Sequence, residues 1–287
     1  MITMKAPAKI NLTLEVLFKR TDGFHEVRSV MQTISLCDRL SFQEGEALEF
    51  RSDSPGWIAE KSLVAKAAGL LKESTVCSQG AIITVEKHIP LVSGLGGDSS
   101  DAAITLVGLN KLWKLALPQN KLLELANQLG SDVAFFLGGG TALLEGRGEV
   151  ATALPPPQKT WVVIAVPDIP QKPEKTKQLY ESLNPGNYTD GAITRQMAER
   201  LREGEELSES LLFNVFEKVV FNKFPKLSAF RGRMLESGAT HVHLAGSGPA
   251  FFALLKEKNR AEELYARLKA QKIEVYLAET CIPNRNL

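Results

Sequence analysis

Residues 90–103 read Pro90-Leu91-Val92-Ser93-Gly94-Leu95-Gly96-Gly97-Asp98-Ser99-Ser100-Asp101-Ala102-Ala103, and few folds can accommodate that run. Gly94, Gly96 and Gly97 let the backbone enter conformations closed to other residues and bring its N–H groups close to a ligand. An apolar helix expected over 102–115 opens directly behind them, so the positive end of its dipole faces the same turn. Ser99 and Ser100 add hydroxyls. Together these features suit an anion, a phosphate above all. No Gly-Lys-Ser/Thr closes the run, which excludes a P-loop, and the spacing is wrong for a dinucleotide fingerprint. Taken alone, the same run is equally a flexible glycine turn capped by Asp98 and Ser99.

Composition narrows the setting. The chain has 287 residues, long enough for two domains or one large one. Its 34 Lys and Arg nearly cancel 33 Asp and Glu, leaving a net charge of +1. That balance argues against nucleic acid or an anionic membrane as partner. No apolar run approaches the roughly 20 residues needed to cross a bilayer, and the N-terminal stretch lacks a signal peptide's apolar block. Cys37, Cys77 and Cys281 are an odd, widely spaced set, which fits a reducing, cytoplasmic setting better than disulfides or structural zinc.

Periodicity predicts mostly antiparallel strands with segregated helices, an α+β fold. Residues 9–17 alternate as a half-buried strand, 27–36 and 81–89 as further strands, and 60–71 and 118–129 as helices. Residues 153–158, with their proline triplet, are the expected linker, dividing the chain into 1–155 and 156–287. Beyond it come a strand at 161–166, helices near 189–203 and 227–236, and a β-β-α-β series over 241–278.

Three other constellations bear on chemistry. Lys9 and Asn11 leave one face of an apolar strand, where a lysine either snorkels to the surface or neutralises charge in a pocket. Asp132 precedes an apolar run at an expected helix N-terminus, either as a cap or as a carboxylate able to accept a hydroxyl proton. Gly246-Ser247-Gly248 is a second glycine turn, by itself only a hairpin. His241 and His243 share a strand face without a third ligand, so zinc is not expected. Lys172, Glu174, Lys175 and Lys177 read as a solvated helix start.

These elements, in this order, resemble the GHMP kinase superfamily, whose members include galactose, homoserine and mevalonate kinases. The run from Pro90 to Ser100 carries its most specific signature. Within it, Pro7-Ala8-Lys9-Ile10-Asn11-Leu12, Thr21-Asp22-Gly23-Phe24-His25-Glu26 and Gly146-Arg147-Gly148-Glu149 are similar to the branch that phosphorylates the 2-hydroxyl of a cytidine-diphosphate sugar alcohol in non-mevalonate isoprenoid synthesis. The resemblance runs from Lys5 to about Phe252. It implies a two-domain fold with a central cleft for ATP and substrate. Lys9 and Asp132 would be catalytic, the aspartate accepting the hydroxyl proton and the lysine favouring the alkoxide. Pro90, Gly94, Leu95, Gly96, Gly97, Asp98, Ser99, Ser100 and Asp101 would hold ATP, with Lys87 as an adenosine contact. Ser99 and Ser100 are the candidates for Mg2+.

Asn11, Phe24, His25, Thr176 and Tyr180 would hold the substrate, with Phe24 and Tyr180 stacking on the base and His25 bonding its polar edge. Asp98 stands where the family pattern has a third consecutive glycine. It is expected to cap its own helix, with a reach toward Mg2+ as the alternative. A homoserine- or mevalonate-type kinase and a non-catalytic nucleotide-binding module are the rival functions.

Overall fold

The structure, a computed structural model, describes residues 1–169 and 175–282. In chain order the elements of the first half are β1 (Ile2–Lys19), β2 (His25–Gly45), β3 (Leu48–Ser52), α1 (Leu63–Ser74), β4 (Gly80–Glu86), α2 (Gly97–Leu112), α3 (Gln119–Leu129), α4 (Ser131–Gly138), β5 (Thr141–Glu145) and β6 (Val150–Leu154). The second half supplies β7 (Trp161–Val166), α5 (Lys175–Ser182), α6 (Ala192–Arg202), β8 (Phe213–Asn214), α7 (Glu217–Lys223), α8 (Pro225–Glu236), β9 (His243–Leu244), β10 (Phe251–Leu255), α9 (Lys258–Ala270) and β11 (Glu274–Glu279). The α+β reading holds. Among the described residues, no helix is long and apolar enough to cross a membrane.

One sheet runs β3-β4-β2-β1-β8, with β5 on β2 and β6 on β5; the other runs β11-β7-β10-β9. Pairing is antiparallel except for β3 with β4 and β1 with β8. The proline triplet follows β6 and leads into β7, so the connection begins at residue 155 and not 153.

Burial revises the expectation for β1. Residues 8–16 are buried without a break, so the strand is covered on both faces. Its even positions, Ala8, Ile10 and Leu12, pack with Ile164, Met197 and Phe252 from beyond the proline triplet. Leu14 and Val16 join Val163, Phe216 and Phe251 in a second shared cluster. The polar odd positions Lys9, Asn11, Thr13 and Glu15, which alone suggest a solvated face, are buried as well. Glu15 uses that burial to cap α6, accepting from the Thr194 N–H at 2.7 Å. A third cluster, with Phe42, Leu71, Leu106 and Phe135, packs α1–α4 against the first sheet.

Candidate active site

Helix α2 starts at Gly97, five residues before the expected position, so Gly97 to Ser100 form its first turn. Gly96 makes the early start possible: at φ +74° it turns the chain sharply into the helix, as few other residues could. The phosphate-type turn is therefore Gly94 to Gly96 with a helix N-terminus attached. Gly94, at φ +87°, lies against the second glycine turn so closely that a Cβ would stand 2.1 Å from the Ala245 carbonyl oxygen and 2.9 Å from the Gly248 nitrogen. Backbone hydrogen bonds from Lys9 N to Leu95 O (2.9 Å) and from Ala250 N to Ser93 O (3.0 Å) tie the loop to both halves of the chain.

Between these turns opens a cleft of about 430 Å³, lined by Lys9, Asn11, Gly94, Gly96, Asp132, Arg147, Lys175, Thr176, Tyr180, Phe216 and Gly246 to Gly248, among others. Lys9 Nζ donates to Asn11 Oδ1 at 2.8 Å, and Asn11 Nδ2 donates to Ser29 Oγ at 2.8 Å. The ammonium is thus aimed, and it lies 3.7 Å from Asp132 Oδ2. Asp132 is the second residue of α4 and makes no cap on that helix. Its side chain keeps 34% of its exposure while Lys9 keeps 5%, so the carboxylate has a flank open to an incoming hydroxyl.

An aromatic slot forms the far end. His25 and Tyr180 stack at 5.1 Å between ring centroids, Tyr188 meets His25 edge-on at 6.1 Å, and Phe216 meets Tyr180 edge-on at 4.9 Å. Burial, and secondarily Lys19, lowers the His25 pKa, so its ring is neutral at neutral pH. Burial and the nearby Asp132 push the Tyr180 phenol up to about 12. Thr176, one helical turn before Tyr180, shares a 2.8 Å hydrogen bond with Ser247 of the second glycine turn. Phe24 stays outside this stack, exposed at the β1–β2 turn with the Arg147 guanidinium 4.9 Å above its ring.

Other expected residues lie away from the cleft. Lys87 is buried beneath α2, where its Nζ bonds Asp38 Oδ2 (2.5 Å) and Asp101 Oδ2 (2.7 Å). Asp38 also accepts the N–H groups of His88 and Ile89. This network fixes the strand that enters the loop. Pro90 faces a separate cavity with Leu91, Phe230 and Ile273. Asp98 caps a helix, though not its own: both its oxygens accept from Leu63 N at 3.2 Å, the first residue of α1. Turned toward α1, the carboxylate leaves the loop's N–H groups free of a competing anion. Ser99 is half-buried, while Ser100 Oγ is buried with no partner among the described residues. His241 lies 3.3 Å from Glu209 and His243 3.4 Å from Glu217.

Some contributors escape a reading of the sequence. Lys175 is buried, contrary to the solvated helix start expected there, because it faces inward under the second glycine turn; Lys177 is exposed, and Lys172 and Glu174 lie outside the described residues. Asn214 holds that turn from below, donating to Leu244 O (2.9 Å) and Gly246 O (2.8 Å). A lone polar residue within Leu211-Leu212-Phe213-Asn214-Val215-Phe216 was the available signal.

Residues 62–140 match the GHMP kinases N terminal domain, and residues 192–274 match the GHMP kinases C terminal domain. The chain is 50% identical over 283 residues to a 4-diphosphocytidyl-2-C-methyl-D-erythritol kinase of Dehalococcoides mccartyi, covering 99% of each chain. To the enzyme of that name from Geobacillus kaustophilus it is 40% identical, covering 93% of each. A crystal structure of 4-(cytidine 5'-diphospho)-2C-methyl-D-erythritol kinase superposes with a TM-score of 0.82 at 33% identity, over 97% of this chain and 99% of that one.

Proposed function

The chain belongs to the GHMP kinases, and from that membership we propose that it transfers the terminal phosphoryl group of ATP to the 2-hydroxyl of 4-diphosphocytidyl-2-C-methyl-D-erythritol, in the synthesis of isoprenoid precursors. Identity of 50% over nearly the whole length to a kinase named for that substrate favours this reading over a homoserine or mevalonate kinase. The observation that carries the chemistry is the Lys9–Asp132 pair, 3.7 Å apart and facing a cleft between two glycine turns. Phosphoryl transfer asks little covalent work of a protein; alignment and neutralisation of spreading charge do most of it.

In this reading the N–H groups of Gly94 to Ser99 and the dipole of α2 hold the ATP phosphates. Asp132 accepts the proton of the attacking hydroxyl, and Lys9, steered by Asn11, favours the alkoxide that forms. The neutral His25 ring and the uncharged Tyr180 face suit an uncharged pyrimidine, while Thr176 meets the substrate beside Ser247. Ser99 and Ser100, on the first turn of α2, would be the hard oxygens offered to Mg2+, Ser100 Oγ having no partner among the described residues. Such an ion supplies charge neutralisation across the phosphate oxygens.

The test is ADP release measured with the cytidyl substrate, homoserine and mevalonate, each with and without Mg2+. Release that requires both Mg2+ and the cytidyl substrate is expected. Turnover of homoserine or mevalonate at equal efficiency, or ADP release independent of any acceptor, overturns the assignment.

A further inference from the structure

Lys175 is a cation of the cleft that the chemistry above does not use. It opens α5, is 9% exposed, and has no hydrogen-bond partner for its Nζ among the described residues. The ring of Phe224 lies 6.0 Å from it. A buried, unpaired ammonium is costly, and burial accordingly lowers its pKa to about 8. Such a group is either an uncompensated cost to the fold or one whose counter-ion arrives with a ligand.

The surroundings favour the second account. A Cβ on Gly248 would stand 3.2 Å from Lys175 Nζ, and a Cβ on Gly246 would stand 3.1 Å from Lys9 Nζ. The turn between the two glycines is therefore bracketed by two ammonium groups. Lys9 already has Asn11 and Asp132 as partners; among the described residues Lys175 has none. The turn presses on Gly94, the first glycine of the phosphate-type loop, and Lys175 shares the cleft wall with it. Lysine's stem has four rotatable bonds, so its tip can swing to an arriving anion without moving the helix.

We propose that Lys175 is a phosphate-binding residue of the cleft, whose ammonium pairs with a phosphate oxygen of a bound reactant on the opposite side of the Gly246–Gly248 turn from Lys9. This rests on the kinase reading, which supplies two phosphate-bearing reactants: the diphosphate of the cytidyl substrate and the triphosphate of ATP.

The experiment titrates wild type, Lys175→Met and Lys175→Arg with CDP, cytidine and the non-hydrolysable ATP analogue AMP-PNP, alongside steady-state kinetics. Lys175→Met is expected to weaken CDP or AMP-PNP by about 10-fold or more, the usual loss for a charged hydrogen bond. Cytidine should bind as to wild type, and arginine should restore most of the loss. A loss confined to CDP assigns the contact to the substrate's diphosphate and appears in its KM; one confined to AMP-PNP assigns it to the nucleotide. Binding of all three probes within twofold of wild type overturns the proposal, as does equal weakening of CDP and cytidine. Because it deletes an unpaired buried charge, Lys175→Met should melt at or above the wild-type temperature; should it fail to fold, Lys175→Gln takes its place in the same titration. If the proposed function itself were wrong, wild type would bind AMP-PNP but not CDP, or neither, a result separate from any effect of residue 175.

Discussion

Asp132 and Lys9 reach one another from α4 and β1, and their 3.7 Å separation suits the division of roles proposed above. Asp132→Asn keeps the shape and removes the proposed proton acceptor, so kcat should fall by roughly 10²–10⁴ with little change in KM for either substrate. Wild-type turnover by that variant would remove Asp132 from its role. Gly94→Ala tests the contact between the two glycine turns. Its methyl would strike the Ala245 carbonyl from 2.1 Å on a backbone at φ +87°, so calorimetry should show a loss of about 2–4 kcal/mol together with a raised KM for ATP. That Lys9, Asn11, Asp132 and the glycines share one cleft was legible because each sits in a short motif of chemically telling residue types. Lys175 was not. Charged neighbours in sequence made it look solvated, and only the cover laid over α5 from distant parts of the chain buries it.

At the level of elements, the loop is held from beneath. Asp38 on β2, Lys87 just past β4 and Asp101 on α2 form a buried cluster with two carboxylates and one ammonium. Burial raises the Asp101 pKa to about 8, with Lys87 opposing and the Asp38 charge reinforcing. Folded protein therefore keeps a proton that the unfolded chain releases above about pH 4, and stability from this group declines as pH rises from about 4 to about 8. Denaturant melts across that range should show a smaller decline in Asp101→Asn; an unchanged slope would mean that the carboxyl is ionised throughout. Lys87→Met removes the cation from between both carboxylates and should cost about 3–5 kcal/mol in the same melts. Helix and strand positions were largely readable from periodicity, and α3 and α8 fall within two residues of expectation. The start of α2 was not, because a glycine-rich first turn looks like loop until its cap geometry is seen. Nor was the helix that Asp98 caps: its carboxylate reaches across space to α1, a distance that no local pattern encodes.

The whole molecule shares its core across the proline triplet. Two of the three hydrophobic clusters draw on both sides of it, and β8 completes the first sheet from the second half. A single cooperative thermal transition is expected, and separately expressed 1–155 and 156–287 should each fail to give dispersed, native-like NMR spectra. Two resolved transitions would contradict the shared core. Proline spacing made the connection readable, but which faces meet across it depends on side chains more than a hundred residues apart, and β1 reads as half-buried until its second cover is known. The short strand β8 and the pairing of Ile34 with Thr280 carry a consequence for synthesis. The first strands to leave the ribosome cannot finish their sheet until β8 has also emerged, so the nascent chain must wait with β1 uncovered on one side. A ribosome stalled between Asp132 and Gly246 would display Lys9 and Asp132 without the turn that completes their cleft, so activity arrives only once most of the chain has been made.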